Sequence, residues 1–380
     1  MAQYITYQAA RTVAATIEKH FANHIGAAQQ QEERELAHGP EAAVIEALAN
    51  AAFWASLRHE EGISPIISLA YLSPEQAGQP LLFEKPFPLT PDILTKLAPA
   101  VERPGIHLGV WHAEGRLHLW GATRYIPSLC FVLEVVEPGL LVIKHRRLDG
   151  FSKFANVAVL RGEEVKVIDE QSATLPDCPN LLSSLLDLSS AASWSDSVNV
   201  LVQLAISMRS HGRGGSLLVV PTGTEAWRKS IMHPISYSVT PAFSALTDLT
   251  RQDKDSRDGA TWYDTLRRAI DGVAGLTAVD GATIISDAYE LLAFGAKIGR
   301  PEGKEPVQQI VMTEPIVGGE AVVVNPTLSG GTRHLSAAQF VHDQQDALAL
   351  VASQDGRFTI FAWSPCENMV HAHRIDALLL

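Results

Sequence analysis

Cysteine is scarce in this chain. The 380 residues hold Cys130, Cys178 and Cys366, far apart and without CxxC spacing, which excludes a disulfide framework and a finger-type zinc module and fits reduced thiols. A basic excess is missing too: 30 Lys and Arg stand against 42 Asp and Glu, a formal charge of −12. Phosphate polymers reward the opposite balance, so a nucleic-acid polymer is not an expected partner, while a small anion in a local basic pocket stays open. Long apolar runs are lacking as well. The best candidate, near Leu129–Lys144, is interrupted by Glu134, Glu137 and Lys144 and falls short of the ~20 residues needed to cross a bilayer. The opening MAQYITYQAARTVAATIEKHF has no basic tip, apolar core and cleavage site in succession. The expectation is a cytoplasmic protein with neither signal peptide nor membrane insertion.

What is present is globular: 46% apolar and 19% charged residues, with length enough for two cores. Residues 1–190 read as an α+β domain and residues 191–380 as a second, mixed-sheet domain flanked by helices. In the first, Val13, Ile17, Phe21 and Ile25 recur at helical spacing within a helix from Tyr7 to about Ala28. A second helix runs from about Pro40 to Arg58, with Gly62 as its C-cap. Strand patterns follow at Ile66–Leu72, Ile106–Trp111, Leu117–Trp120, Leu129–Val136 and Leu140–Lys144. Turns at His112–Arg116 and Pro138-Gly139 make the sheet largely antiparallel. His112, His118, Trp111 and Trp120 fit the packing of a half-buried sheet. Lys144-His145-Arg146-Arg147 reads as a solvated strand end, with a rim contact for an anion as the alternative.

The segment Leu175–Asp196, rich in Ser, Asp and Pro, reads as the join. Beyond it come a helix through Val198–Met208, a glycine turn at Ser210–Gly215 and the buried strand Ser216–Pro221. Trp227–Pro241 reads as irregular and Arg251–Gly259 as a loop, before a helix through Trp262–Val273. Leu276–Ile285 reads as an apolar strand broken by Asp280, and Tyr289–Ile298 as a strand whose Phe294-Gly295-Ala296 lets backbone approach a ligand. Gly299–Ser329 is Gly- and Pro-rich with a short apolar run at Ala321–Val324. A helix then follows Thr332, with strands at Ala347–Ala352 and Phe358–Trp363. His371 and His373 share one strand face and, without a third ligand nearby in sequence, read as an edge strand rather than a metal pair. Gly223–Ser230 is no phosphate loop, because Arg228 stands where Walker A needs its second glycine. No GxGxxG opens a helix after a strand either.

The polar chemistry gathers in Gly331-Thr332-Arg333-His334-Leu335-Ser336. Hydroxyl, guanidinium and imidazole donors collect there at the start of a helix, an arrangement that favours an anion. Asp280 beside Gly281, in Leu276–Ile285, supplies a carboxylate able to meet a metal or a ribose hydroxyl, or else a plain turn aspartate. Arg333 among glycines, Thr and Ser suits phosphate better than a lone carboxylate.

Over roughly residues 196–365 this order of elements resembles the diadenylate cyclase fold. The likeness rests on Gly215–Val220, Asp280-Gly281-Ala282, Gly331-Thr332-Arg333-His334 and Val351-Ala352-Ser353. Taken with the long N-terminal region and with Phe294-Gly295-Ala296 and Ser353-Gln354-Asp355-Gly356, the chain looks like the DACNV group of cyclase-related sensor domains over nearly its entire length. The resemblance implies that Asp280 holds Mg2+ or Mn2+ and orients a ribose hydroxyl, that Thr332, Arg333, Ser336 and Ser353 line phosphates, and that His334 stands beside them. Gly281, Ala282 and Gly295 belong to the same nucleotide site. The implied partner is a small nucleotide, ATP or a cyclic or linear dinucleotide, with a homodimer or an effector protein as further options.

Departures bear on activity. Leu335 stands where active cyclases carry a second arginine, Ser353-Gln354-Asp355 stands where they read Ser-Glu-Glu, so that the second metal-binding carboxylate is replaced by an amide or displaced by one position, and Lys297-Ile298-Gly299 replaces their leucine-containing base-pocket stretch. Loss of a charge-assisted contact weakens binding by ~1.5–3 kcal/mol, and loss of groups that act in the transition state suppresses turnover by orders of magnitude. The expected function is a nucleotide-binding sensor of bacterial signalling or anti-phage systems, catalytically weak or inactive and with no certain cofactor. The alternative is an active diadenylate cyclase making cyclic di-AMP from two ATP with a divalent metal.

Overall fold

The structure, a computed structural model, describes residues 6–31, 35–113, 115–148, 154–174, 179, 200–252, 260–328 and 330–380. The fold is α+β, with two sheets, and it divides into two compact units, one largely of residues 1–168 and the other largely of residues 192–379. The expected join at Leu175–Asp196 lies outside the described residues except for Pro179.

In the first unit, helices α1 (Gln8–Gln30), α2 (Ala42–Ser56) and α3 (Pro91–Val101) accompany strands β1 (Ile67–Tyr71), β2 (Leu81–Pro88), β3 (His107–Ala113), β4 (Arg116–Thr123), β5 (Phe131–Glu137), β6 (Leu140–Arg146), β7 (Phe154–Arg161) and β8 (Glu164–Val167). The sheet order is β2-β4-β3-β1-β5-β6-β7-β8. Only β1 and β3 run parallel among the described pairs. Val13, Ile17 and Phe21 of α1 fall on one helix face and pack with Ile45 and Leu48 of α2 over Leu69, Phe131, Leu133 and Ile143. Helix α3 opens on Thr90, whose hydroxyl accepts from Ile93 N, with Pro91 in its first turn. The cap of α2 is Leu57, not Gly62, which instead takes φ +83 in the following turn.

The basic run Lys144–Arg147 is not a solvated strand end. Lys144 and Arg147 are buried and His145 is 1% exposed, leaving only Arg146 open to solvent. The cause is position: β6 is paired on both sides, by β5 and β7. Lys144 pairs with Glu134 and lies over the Phe154 ring, while the Arg146 guanidinium donates to the Ile126 carbonyl. On the same sheet Ser68 Oγ meets His107 Nδ1 at 2.7 Å and Glu134 Oε1 at 3.5 Å.

Burial lowers the His107 pKa from 6.5 to about 4; Glu134 opposes the shift and Lys144 adds to it. A histidine with a depressed folded pKa stays neutral while the unfolded chain takes up a proton. The stability it supports is therefore intact above about pH 6.5 and lost as pH falls toward 4. The expected loss is on the order of 3 kcal/mol. Urea unfolding at pH 7 and pH 4.5 should show this acid slope in the wild type and a shallower one in His107→Gln.

The second unit contains α4 (Val200–Ser210), β9 (Gly215–Val220), β10 (Tyr237–Phe243), α5 (Ala245–Thr250), α6 (Ala260–Leu276), β11 (Ala282–Ser286), β12 (Leu291–Ala296), β13 (Ile310–Thr313), β14 (Val322–Val324), α7 (Thr332–Asp343), β15 (Leu348–Ala352), β16 (Phe358–Ser364) and β17 (Met369–Arg374). The sheet order is β10-β12-β11-β9-β15-β16-β17-β13-β14. Strand β17 is therefore interior, and the edge-strand reading of His371 and His373 is corrected: β16 and β13 flank it. Strand β9 is buried along its whole length, which explains its unbroken apolar run. Leu218 and Val220 face Ala337, Phe340 and Val341 of α7, and by alternation Leu217 and Val219 point to the opposite face. Helices α4 and α6 pack on each other and against β15 and β12 respectively.

Asp280 does not sit within a strand. Helix α6 runs on to Leu276, and tight turn bonds from Thr277 N to Ala274 O, Ala278 N to Gly275 O and Val279 N to Leu276 O prolong it. The Thr277 hydroxyl adds a bond to Ala274 O. β11 then begins only at Ala282, so the apolar stretch is half helix end and half strand.

Candidate functional site

Five chain segments of the second unit meet at one cavity of about 290 Å3: the start of β9, the stretch at Met232 before β10, the turn before β11, the end of β12 and the start of α7. The strand registers bring them there. Ala282 pairs with Ser216 in parallel and with Ala296 in antiparallel fashion. Asp280, Gly281, Ala282, Thr332, Arg333 and Ser336 all line this cavity, as do Ser216, Met232, Lys297 and Ile298. The carboxylate and the guanidinium, remote along the chain, thus share one cleft.

Helix α7 begins after Gly331, which offers no side-chain cap. The N–H groups of its first turn therefore face the cavity end of the helix without a capping side chain, the arrangement that attracts anions. Thr332 is exposed, and Arg333 and Ser336 are half-buried. A methyl group placed on Gly214 would stand 3.1 Å from Arg333 Nη1 and 3.4 Å from Gln354 Cγ. The Gly214 turn, Arg333 and Gln354 are therefore close neighbours, with Gln354 also donating to Arg213 O. Asp280, on the same lining, is exposed and stands 4.0 Å from Lys297 Nζ.

Gly281 and Gly295 bind the two sides of the Asp280 turn together. Gly281 has φ +107, and a side chain there would lie 2.5 Å from the Gly295 carbonyl carbon. Gly295, at φ +60, does not line the cavity itself; it lets β12 close on that turn and against Tyr237, which stacks on Phe294 at 4.7 Å. His334 and Ser353 are not brought to the cavity. His334 is 3% exposed, faces Thr359 Oγ1 at 3.4 Å and meets the edge of Phe361. Burial, outweighing the nearby Asp355, holds its pKa below the ordinary histidine value. One residue past Arg333, a helical step of 100° turns it inward. Ser353 closes the β15–β16 turn, its N–H bonded to Arg357 O and its carbonyl to Gly356 N.

Met232 and Ser216 complete the walls without a signal in the sequence. Met232 is held by its N–H bond of 2.8 Å to Lys297 O and by the Ile231–Ile298 bridge, a long-range pairing that no local pattern announces.

The match to a family model falls in the other unit. Residues 34–124 match the family model described as "Probable sensor domain DACNV". That stretch holds α2, α3 and β1 to β4, and it is less than half of the chain. The DACNV likeness expected over nearly the whole length is thus found on the N-terminal side alone, and Asp280, Arg333 and the other quoted motifs lie beyond it. A comparison with curated proteins finds no match. Among solved structures, a hypothetical membrane spanning protein from Bacillus cereus is 13% identical, with a TM-score of 0.28, over 50% of this chain and 71% of that one. So slight a likeness carries no argument. No described helix is long and apolar enough to cross a membrane.

A larger cavity of about 360 Å3 lies at the other end of β9, beside Val220, Lys304, His342 and Asp343. It contains none of the residues picked from the sequence. We place the candidate site in the smaller cavity because its cation, hydroxyls and helix start act together on one kind of ligand.

Proposed function

We propose that the chain is a nucleotide-responsive sensor related to the diadenylate cyclases, working in bacterial nucleotide signalling or anti-phage systems, with its ligand in the cavity between Asp280 and Arg333. The observation that carries this reading is the convergence of Thr332, Arg333 and Ser336 at an uncapped helix start, facing Asp280 across one cleft. Phosphate oxygens would accept from the guanidinium, the hydroxyls and the first-turn N–H groups. Asp280 would accept from a ribose hydroxyl. The volume lies near the lower end of the ~300–1,000 Å3 usual for ligand pockets, which suits one nucleotide per chain.

The same lining argues for weak or absent catalysis. A resident divalent ion needs several oxygen ligands, and among the described residues Asp280 is the sole carboxylate on this cavity's lining, with the Lys297 ammonium beside it. Gln354, the neighbour of Arg333, brings an amide where a second carboxylate would serve a metal. Leu335, 37% exposed, adds no cation. In the alternative reading, an active cyclase, Mg2+ or Mn2+ would be held by Asp280 together with the phosphate oxygens, and two copies of the chain would each present one ATP.

Incubation with ATP and Mn2+ or Mg2+, followed by chromatography, separates the two readings. The sensor leaves ATP unconsumed. A cyclic di-AMP peak that disappears in Asp280→Asn would replace the sensor reading with the enzyme.

A further inference from the structure

His20 and His24 stand four residues apart on α1, so their rings lie on one side of the helix. In the fold they meet His145 of β6. Ring centroids are 4.3 Å apart for His20 and His24, 5.7 Å for His20 and His145, and 5.8 Å for His24 and His145. Nitrogens of the His20 and His24 rings come within 4.8 Å of one another. Three imidazoles around one tetrahedral ion, with metal–nitrogen bonds of ~2.0–2.1 Å, place their ring centres about 5 Å apart. The observed ring-centre spacings of 4.3, 5.7 and 5.8 Å lie on either side of that value.

His145 carries the second observation. It is 1% exposed, and its Nδ1 lies 3.0 Å from the Arg146 carbonyl. A carbonyl only accepts, so the Nδ1 bears the proton and the Nε2 keeps its lone pair. That Nε2 is buried and has no hydrogen-bond partner among the described residues. Such a nitrogen is costly as a core group and ordinary as a metal ligand, because a backbone carbonyl on Nδ1–H is the partner that orients metal-bound histidines. Phe21 packs its edge against His145 and fixes the ring from the other side. His24, the third imidazole, is half-buried.

We propose that His20, His24 and His145 form a binding site for a divalent transition metal of the zinc class. Imidazole donors select zinc, cobalt, nickel or copper over magnesium and calcium. Arg147, a cation close by along the chain, turns its Nε to the Phe154 carbonyl. The site lies in the first unit and does not depend on the nucleotide reading.

The test uses the full chain, stripped with a chelator and titrated with Co2+, whose tetrahedral complexes show a visible ligand-field band. The expected result is a band that saturates at one ion per chain and is displaced by Zn2+. His24→Gln, at the half-buried ring, should weaken Co2+ binding by at least about 100-fold, beyond what loss of a merely orienting partner costs, with an unchanged circular dichroism spectrum. His371→Gln, at the other imidazole pair, should leave it unaltered. Absence of the band at one equivalent, or an unchanged affinity in His24→Gln, overturns the proposal. If that variant misfolds, X-ray absorption on the zinc-loaded wild type decides: three imidazole nitrogens support the site, and two or fewer overturn it.

Discussion

Gly281→Val should lower the stability of the folded chain by roughly 3–5 kcal/mol and its midpoint of thermal unfolding by roughly 8–15 °C. Two costs combine. At φ +107 a β-branched residue is held in backbone territory that belongs almost wholly to glycine, which accounts for about 1–3 kcal/mol. The new side chain must also displace the Gly295 carbonyl carbon, 2.5 Å from where its Cβ would stand. That neighbour is backbone in a paired strand and cannot swing aside like the end of a flexible side chain. Relief would have to come from separating β12 from the Asp280 turn, which opens one wall of the cavity. Scanning calorimetry checks the loss; a midpoint within 2 °C of the wild type, roughly 1 kcal/mol or less, would show that the Gly281–Gly295 contact is not the tight junction described here. Gly303→Val, where φ is +77 but a Cβ would meet nothing within 4 Å, serves as the control for backbone strain alone.

The sequence made some elements legible because their patterns are local. Val13, Ile17 and Phe21 mark α1 by helical spacing, and the apolar run of β9 marks a strand covered on both faces. Elements that depend on distant partners were not legible. Helix α3 follows Pro88 and contains Pro91 and Pro99, so its composition reads as a breaker although Pro91 in fact starts the helix and Pro99 lies in its last turn. Strands β7 and β13 become strands by pairing with β6 and β17, and neither carries a clear alternation. Lys144–Arg147 reads as surface by charge alone, and only the place of β6 inside the sheet buries it. For the candidate site, Arg333, Thr332 and Ser336 stood out as donors at a helix start and Asp280 as a carboxylate before a glycine. His334 looked equivalent to them, but the helical turn sends it to Thr359 and Phe361. Met232 carries no functional signal and enters the cavity through one backbone bond to Lys297.

Arg333→Ala should weaken nucleotide binding roughly 10- to 150-fold, the equivalent of one charge-assisted phosphate contact at ~1.5–3 kcal/mol. Arg333 is half-buried on the cavity wall and sits in the first turn of α7, outside the apolar packing made by Ala337, Phe340 and Val341. Its removal should therefore leave the melting temperature nearly unchanged, which separates a binding role from a structural one. The affected affinity should also become less sensitive to salt, since one cation facing phosphate is gone. Asp280→Asn keeps the acceptor oxygen for a ribose hydroxyl and should cost less in the sensor reading.

Calorimetric titration of the wild-type chain and of Arg333→Ala with ATP and with cyclic di-AMP is the most direct measurement. The account predicts saturable binding of at least one of the two by the wild type, at no more than one per chain, and a loss of 10-fold or more in the variant. Heat indistinguishable from dilution with both nucleotides, or equal affinity in the two proteins, would contradict it.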